Sequence, residues 1–493
     1  MARPAASRYS VRKQTPLARK PEMSKRLANL CAVILGLSLA APASAQIIIG
    51  GEPVTAPGQP APVQLTFPVD ADAAGYVAVS VAAPAFSGAT PAEAEIAAKI
   101  AEVVRADLAS VGIFTAPDST ATAAFTADIG ALPAWADWSG AGVGALLLGK
   151  AVIGADNSIS VQFRLYDIAA RKQLIGTQYS LPSTDLWRRA AHKVSDDVMV
   201  ALVGGKGGFD SRIAVASETG GKMQLWGIDQ DGVGGAPLIA SISGLQAPRY
   251  SPNGLGVVYS GDAPIPGKPN QGQRTTIIYD LASGRREPMT TGAQPNADAR
   301  YAPGGQSLIF SRKDGANTDI FLKPLSGGAE KRLTDDKAID NEPSLSPDGT
   351  KFAFVSDRAG GEAVYVARVD GAAFACADGS EAKACRITKE AGQYDGPVWS
   401  PSGDWIAYSQ RTGKVAAIHI ARPDGAISRA LTTPGSDVLD LYPAWSPDGR
   451  RIAFSRLTGS KSTLHTLAVA SGELRTMDIP GAAYEPDWGP KLP

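Results

Sequence analysis

The chain has 493 residues, with 48 basic and 48 acidic side chains and a formal net charge of zero at neutral pH. That length predicts more than one domain. Residues 1–45 hold eight of the basic residues and one of the acidic ones; without them the chain carries about −7, which argues against nucleic acid as a partner.

Residues 1–45 read as a leader. Met23-Ser24-Lys25-Arg26 is basic, residues 30–40 are apolar, and Ala43-Ser44-Ala45 has the small-residue pattern of a cleavage site. This predicts a secretory signal peptide, translation starting at Met23 and a mature chain from Gln46. The apolar run is too short to span a bilayer, and no later run reaches the length of a membrane span.

Residues 46–205 are expected to form an α/β domain. YVAVSV (76–81) predicts a strand. Residues 90–112 predict a helix: Thr90 caps it, Pro91 takes the first turn and Glu93 completes a capping box. Its apolar stripe is Ile96, Ile100, Val103, Val104, Leu108 and Val111. GALLLGKAVI and SISVQFRLYDI predict a hairpin across Ala155-Asp156-Asn157. A second helix follows, capped by Ser183 and carrying His192. A catalytic base and a structural role at the domain junction are both open to that histidine; no nucleophile motif accompanies it, which favours the structural role. His419 and His465 stand at strand-like positions, and no ligand spacing links the three histidines. Glycine-rich GGKGG (204–208) leads into the next region.

Residues 206–493 repeat. The phrase Ser-Pro-x-Gly, followed by a short apolar run, recurs as YSPNGLGVVYSG, YAPGGQSLIFSR, LSPDGTKFAFVS, WSPSGDWIAYSQ and WSPDGRRIAFSR, with a broken copy in YEPDWGPKLP. The marker prolines are Pro252, Pro303, Pro347, Pro401, Pro447 and Pro490, spaced by 51, 44, 54, 46 and 43 residues. Each phrase is a tight turn between β-branched and aromatic strands. A period of this size, with about four strands each time, predicts a propeller blade. Six blades are expected. The region opens at FDSRIAVAS (209–217) without a preceding turn and ends on a turn-containing strand, so the two ends are expected to complete one blade and close the ring.

Cys376 and Cys385 flank an inserted loop in the repeat with the longest spacing. In an exported protein they are expected to form a disulfide; no histidine lies in the loop to suggest a metal site. The residues just before each turn occupy equivalent places around a ring and should converge at one mouth. The mouth residues expected are Asp298, Asp340, Asn341, Glu342, Tyr394, Asp395, Asp440, Leu441, Tyr442, Tyr484 and Glu485. Their acids would attract a basic partner and their tyrosines would anchor it. A cation such as calcium is a further candidate occupant, and the plainer alternative is that the acids cap loop amides.

Three segments carry a resemblance: GADNSISVQFRLYDIAARKQLIGTQY (154–179), LWRRAAHKVSDDV (186–198) and GKGGFDSRIAVAS (205–217). With the repeats, they resemble the TolB family, periplasmic propeller proteins of the Tol–Pal system of Gram-negative envelopes. The resemblance runs from Gln46 to Pro493. It implies an α/β first domain, a six-bladed ring, a periplasmic address, no catalysis and no cofactor. It implies Pal, an outer-membrane lipoprotein, at the propeller mouth, and TolA, an inner-membrane protein, at the amino-terminal segment, in a protein expected to be a monomer. That segment is Gln46, Ile47, Ile48, Ile49, Gly50, Gly51, Glu52, Pro53 and Val54. It is short and apolar, as suits a strand docking on a partner's sheet edge; a frayed terminus or an extra strand of its own domain are the other readings. Two further functions stay open. A hydrolase would need a Gly-x-Ser-x-Gly elbow, which the sequence lacks. A cell-wall glycan binder would use the central channel.

Overall fold

The computed structural model describes residues 78–125, 127–242, 244–265, 268–289 and 295–492. The expected leader and the segment 46–54 lie outside these residues. Among the described residues no helix is long and apolar enough to cross a membrane.

The first region is a five-stranded sheet in the order β2-β1-β3-β4-β5. Its strands are β1 (Val79–Ala82), β2 (Phe114–Thr115), β3 (Ala145–Ile153), β4 (Ile159–Asp167) and β5 (Lys172–Leu181). β1 runs parallel to β2 and β3, and the rest is antiparallel. Four helices accompany it: α1 (Pro91–Ala109), α2 (Ser119–Thr122), α3 (Trp135–Gly140) and α4 (Trp187–Val203). The capping box of α1 forms as its residues predict: Thr90 Oγ1 accepts from the Glu93 N–H at 3.3 Å and Glu93 Oε2 accepts from the Thr90 N–H at 2.9 Å. The other Glu93 oxygen accepts from the Ile153 N–H at 2.9 Å, so the cap also ties the helix to β3. Ile100, Val104 and Leu108 of α1 and Val194 and Val198 of α4 pack on Leu147, Phe163 and Leu165. On the other face Leu146, Leu148 and Tyr166 pack with Trp138 of α3. A sheet covered on both faces needs apolar residues on both, so β3 opens on a continuous apolar run, Ala145–Leu148.

Two local expectations change. Ser183 accepts from the Asp185 N–H at 3.2 Å, but what it caps is a 3₁₀ turn, Thr184–Leu186, and α4 starts after it. β5 was not expected at all: most of its residues are half-buried and it lacks a clean apolar alternation.

The repeat region is all β. One four-stranded sheet has the order β31-β6-β7-β8, from β6 (Ser211–Thr219), β7 (Lys222–Asp229), β8 (Ala236–Ile242) and the last strand, β31 (Ala482–Lys491). A second holds β9 (Gln246–Tyr250), β10 (Gly256–Ile265), β11 (Lys268–Asp280) and β12 (Arg286–Pro288). A third holds β13 (Asn296–Tyr301), β14 (Ser307–Asp314), β15 (Asn317–Pro324) and β16 (Lys331–Arg332). The fourth holds β17 (Asp340–Leu345), β18 (Lys351–Ser356), β19 (Ala363–Arg368) and β22 (Ala384–Arg386). In the loop before β22, β20 (Phe374–Ala375) pairs β21 (Glu381–Ala382), and a disulfide joins Cys376 to Cys385 with Cα atoms 5.4 Å apart. The last sheet has eight strands: β23 (Gln393–Trp399), β24 (Ile406–Thr412), β25 (Val415–Ala421), β26 (Ser428–Ala430), β27 (Val438–Trp445), β28 (Arg451–Thr458), β29 (Lys461–Ala468) and β30 (Leu474–Met477). The hydrogen bonding therefore gives four four-stranded sheets and one of eight where the repeats predict six blades. The merger rests on one parallel pair, Ala416 with Leu439, between β25 and β27.

The Ser-Pro-x-Gly phrase makes the same corner in each complete repeat. The Gly254, Gly349, Gly403 and Gly449 N–H groups donate to the serine carbonyls three residues back at 2.8–3.0 Å, and Gly305 does so to Ala302 at 2.8 Å. All five glycines have φ of 69–82°, a region costly for any residue with a Cβ. Gly305, Gly403 and Gly449 sit beside the preceding marker prolines, Pro252, Pro347 and Pro401, and Gly254 sits beside Pro490.

Candidate functional site

Counting five residues back from each marker proline gives Ala247, Asp298, Glu342, Gly396, Tyr442 and Glu485. All six have φ between 47° and 60°. The antiparallel register breaks beside each of them, for example between Ala297 and Arg300, Asn341 and Ser344, and Leu441 and Ala444. Such a bulge inserts an extra residue and re-aims a side chain. The six residues line one cavity of about 30 Å³, together with Arg249 and Arg300. That space is enough for a water or a small ion and no more.

The lining is wired from repeat to repeat. Glu342 accepts from the Gly396 N–H and Glu485 from the Ala247 N–H, so each acid holds the bulge of the neighbouring repeat. This is an amide-capping use of these carboxylates. Asp298 accepts from Ser311 Oγ at 2.8 Å. Asp487, behind the lining, lies 4.0 Å from Arg249 Nε and 3.8 Å from Arg300 Nη1. Burial, with the charges of Asp298 and Asp395, pushes the Glu342 carboxyl up to about 8 against the pull of the Gly396 amide. Burial also raises Glu485 and Asp487 and, helped by the Glu342 charge, Tyr442. Burial and the Arg249 charge draw Arg300 down to about 9. Such a site can return charge to its acids when a cationic group enters, and resists a second anion.

The expected mouth residues divide. Asp298, Glu342, Tyr442 and Glu485 line the cavity. Asp340 and Asp440 are fully buried and grip Arg358 at 2.9 and 2.8 Å and Arg456 at 2.6 and 2.8 Å. Tyr394 is buried, donates to the Glu390 carbonyl at 2.6 Å and lines a different cavity. Asn341, Asp395, Leu441 and Tyr484 are half-buried and do not line it; burial and the Glu362 charge raise Asp395. The residues missed are Ala247, Gly396 and the two arginines. The offset from each proline would have found all four, since Arg249 and Arg300 stand three residues before Pro252 and Pro303.

His192 sits elsewhere, buried where α1 and α4 meet the turn after β7. Its Nδ1 is 2.8 Å from Asp107 Oδ2 and its Nε2 is 3.4 Å from Asp231 Oδ2. Burial pulls the imidazole down, but Asp107 and Asp231 outweigh it and the net direction is up. Ser195 Oγ donates to Asp107 at 2.7 Å, not to the histidine, so the trio lacks the hydroxyl-to-imidazole bond of a nucleophile pair. Ligand atoms of Asp107, His192 and Asp231 lie within 4.8 Å of one another, but Asp107 already accepts from Ser195 and Gln230 and contacts His192, and Asp231 holds Arg188.

Comparison with known proteins fits this architecture. Residues 200–492 match the family model described as TolB beta propeller domain, and residues 68–174 match the TolB amino-terminal domain. A relative named Tol-Pal system protein TolB, from Gluconobacter oxydans, is 31% identical over 387 residues, covering 73% of this chain and 80% of that one. The relative of the same name from Dinoroseobacter shibae is 35% identical over 295 residues, which cover 58% of this chain and 64%, less than two thirds, of its own length. The crystal structure of TolB from Acinetobacter baumannii superposes with a TM-score of 0.69 at 25% identity, over 84% of this chain and 97% of that one. The α/β first region, the propeller and these matches together make the chain a member of the TolB family.

Proposed function

We propose that this protein is a non-catalytic periplasmic scaffold of the Tol–Pal system. In this reading residues 1–45 are a leader, 46–205 the first domain and 206–493 a six-bladed ring. Dividing the eight-stranded sheet at its single β25–β27 pair gives the sixth blade. Ring closure is supported by three links that repeat the internal pattern across the ends: β31 pairs β6, Glu485 holds the Ala247 amide and Gly254 sits beside Pro490.

The mouth binds Pal, residues 46–54 bind TolA, and the assembly supports outer-membrane integrity and constriction at division. The observation that carries the mouth is the set of six equivalent left-handed residues turned into one acid-rich cavity. The acids fit one cationic tip of ion size, such as a lysine ammonium of the partner, and Tyr442 supplies an aromatic anchor beside it. The test is recovery of Pal from detergent-solubilised envelopes. Wild-type protein should recover it, and the triple variant Glu342→Ala, Asp395→Ala, Tyr442→Ala should not. Recovery by both moves the site off the mouth, and recovery by neither removes the Pal reading.

A further inference from the structure

Four repeats carry a pair of rings at the same place. The first ring of each stands seven residues after its marker proline: Phe310, Phe354, Tyr408 and Phe454. Each faces a second ring across the neighbouring strand, Phe321, Tyr365, His419 and His465, with ring centres 5.7–5.9 Å apart. In three of the four an arginine covers the pair and an acid holds the arginine. Arg312 lies 3.7 Å from the Phe321 ring centre and is held by Glu330. Arg358 lies 5.0 and 5.1 Å from Phe354 and Tyr365 and is held by Asp340. Arg456 lies 5.6 Å from Phe454 and is held by Asp440. A guanidinium over a ring face is a favourable arrangement.

The Tyr408–His419 pair has neither. Arg456 stands two residues after Phe454 and pairs across the strands with Asp440. At the matching places for Tyr408 stand Gln410 and Tyr394, which pair in the same way. There a cavity of about 370 Å³ opens, lined by Tyr394, Tyr408, Gln410, His419 and Glu390. Its size is at the lower end of small-molecule sites. The Tyr394 ring leans on Tyr408 at 5.8 Å and turns its hydroxyl to the Glu390 carbonyl, which leaves this space open.

Groups on the cavity are unspent. Glu390 is exposed, and one carboxylate oxygen accepts from Gln410 Nε2 at 3.0 Å; the other has no partner among the described residues. His419 is half-buried with no hydrogen bond to either ring nitrogen among the described residues, whereas those of His465 meet Thr463 and Thr476. Burial holds the His419 imidazole below its ordinary value, so at neutral pH it does not repel a cation. Lys389 and Arg429 also border the cavity, but the ionic charge felt at the Tyr408 hydroxyl and the His419 imidazole is that of Glu390. We propose that this cavity binds the guanidinium of an arginine-like ligand, laid over Tyr408 and against Glu390, in the place that three other repeats fill with an arginine of their own. The cavity is separate from the mouth, and nothing about it depends on the Pal reading.

The test is calorimetry on the purified protein with free L-arginine and with a capped Ala-Arg-Ala peptide, each matched by its neutral citrulline counterpart. Saturable binding of at least one arginine probe is expected, with the counterpart at least tenfold weaker. Binding of the free amino acid alone marks a small-molecule ligand, and binding of the peptide marks a side chain of a partner; both support the proposal. Two variants locate the site. Glu390→Gln, at an exposed position, should weaken binding roughly tenfold, as a charge-assisted hydrogen bond becomes a neutral one. Gln410→Arg gives the niche a guanidinium of its own, as Arg456 does for Phe454, and should abolish binding; if it fails to fold, Glu390→Gln still decides. No saturable binding of either arginine probe, a citrulline counterpart bound as tightly, or undiminished affinity in either variant would each overturn the proposal.

Discussion

Every complete repeat needs a left-handed residue twice, and it meets the need differently in two places. At the outer corner the residue is glycine each time, from Gly254 to Gly449, at φ 69–82°. At the mouth it is Ala247, Asp298, Glu342, Gly396, Tyr442 and Glu485, at φ 47–60°. A residue with a Cβ costs about 1 kcal/mol more there than glycine. The corner has no use for a side chain and takes the cheap solution. The mouth keeps five side chains against that cost, and strain of this kind gathers at working sites. The same backbone requirement thus separates the corner from the proposed mouth.

Three substitutions test that separation. The largest effect is expected two positions before the mouth bulge, where acids serve the scaffold. Asp440→Ala strands Arg456 beside a fully buried position and should cost about 3 kcal/mol in urea unfolding; a loss under 1 kcal/mol would place Asp440 with the mouth acids instead. Next, Gly349→Ala should cost about 1 kcal/mol of pure backbone strain, because an added Cβ meets nothing within 4 Å. Ala247→Gly at the mouth should change stability by less than about 0.5 kcal/mol, as relieved strain offsets added chain entropy. Equal and opposite large effects would break the comparison. The last test is electrostatic, and its size depends on pH. Glu342 rises from an ordinary 4.5 to about 8 in the fold, so between those values the folded chain keeps a proton that the unfolded chain has released. The stability this gives is full below pH 4.5 and is lost as pH rises through 8. Urea midpoints of wild type should fall over that window relative to Glu342→Gln. A cationic partner should show the opposite trend and bind more tightly as pH rises.

Much of this could be read from residues alone where the signal is local. Thr90 and Glu93 mark the start of α1 because a capping box is a four-residue event. The marker prolines give the period, and Asn157 the hairpin. The mouth was legible only as a neighbourhood. Strand alternation assigns faces by counting twos, and a bulge resets the count without leaving a local signature, so Asp340 and Glu342 looked alike before the turn. One is clamped by Arg358 in the sheet and the other faces the cavity. The burial of Arg451 depends on contacts with Ser110 and Gln230, hundreds of positions away, which no local pattern encodes.

The pairing of β31 with β6 also sets an order of events in time. Trp488 Nε1 donates to Ser211 Oγ at 2.9 Å across 277 residues. Until the final strand arrives, β6 has an unpaired edge, and that edge is an invitation to any other extended chain. Closing so long a loop is slow compared with forming a hairpin. The newly made protein therefore spends its early life with one open seam, and a chain cut short before residue 482 would never lose it.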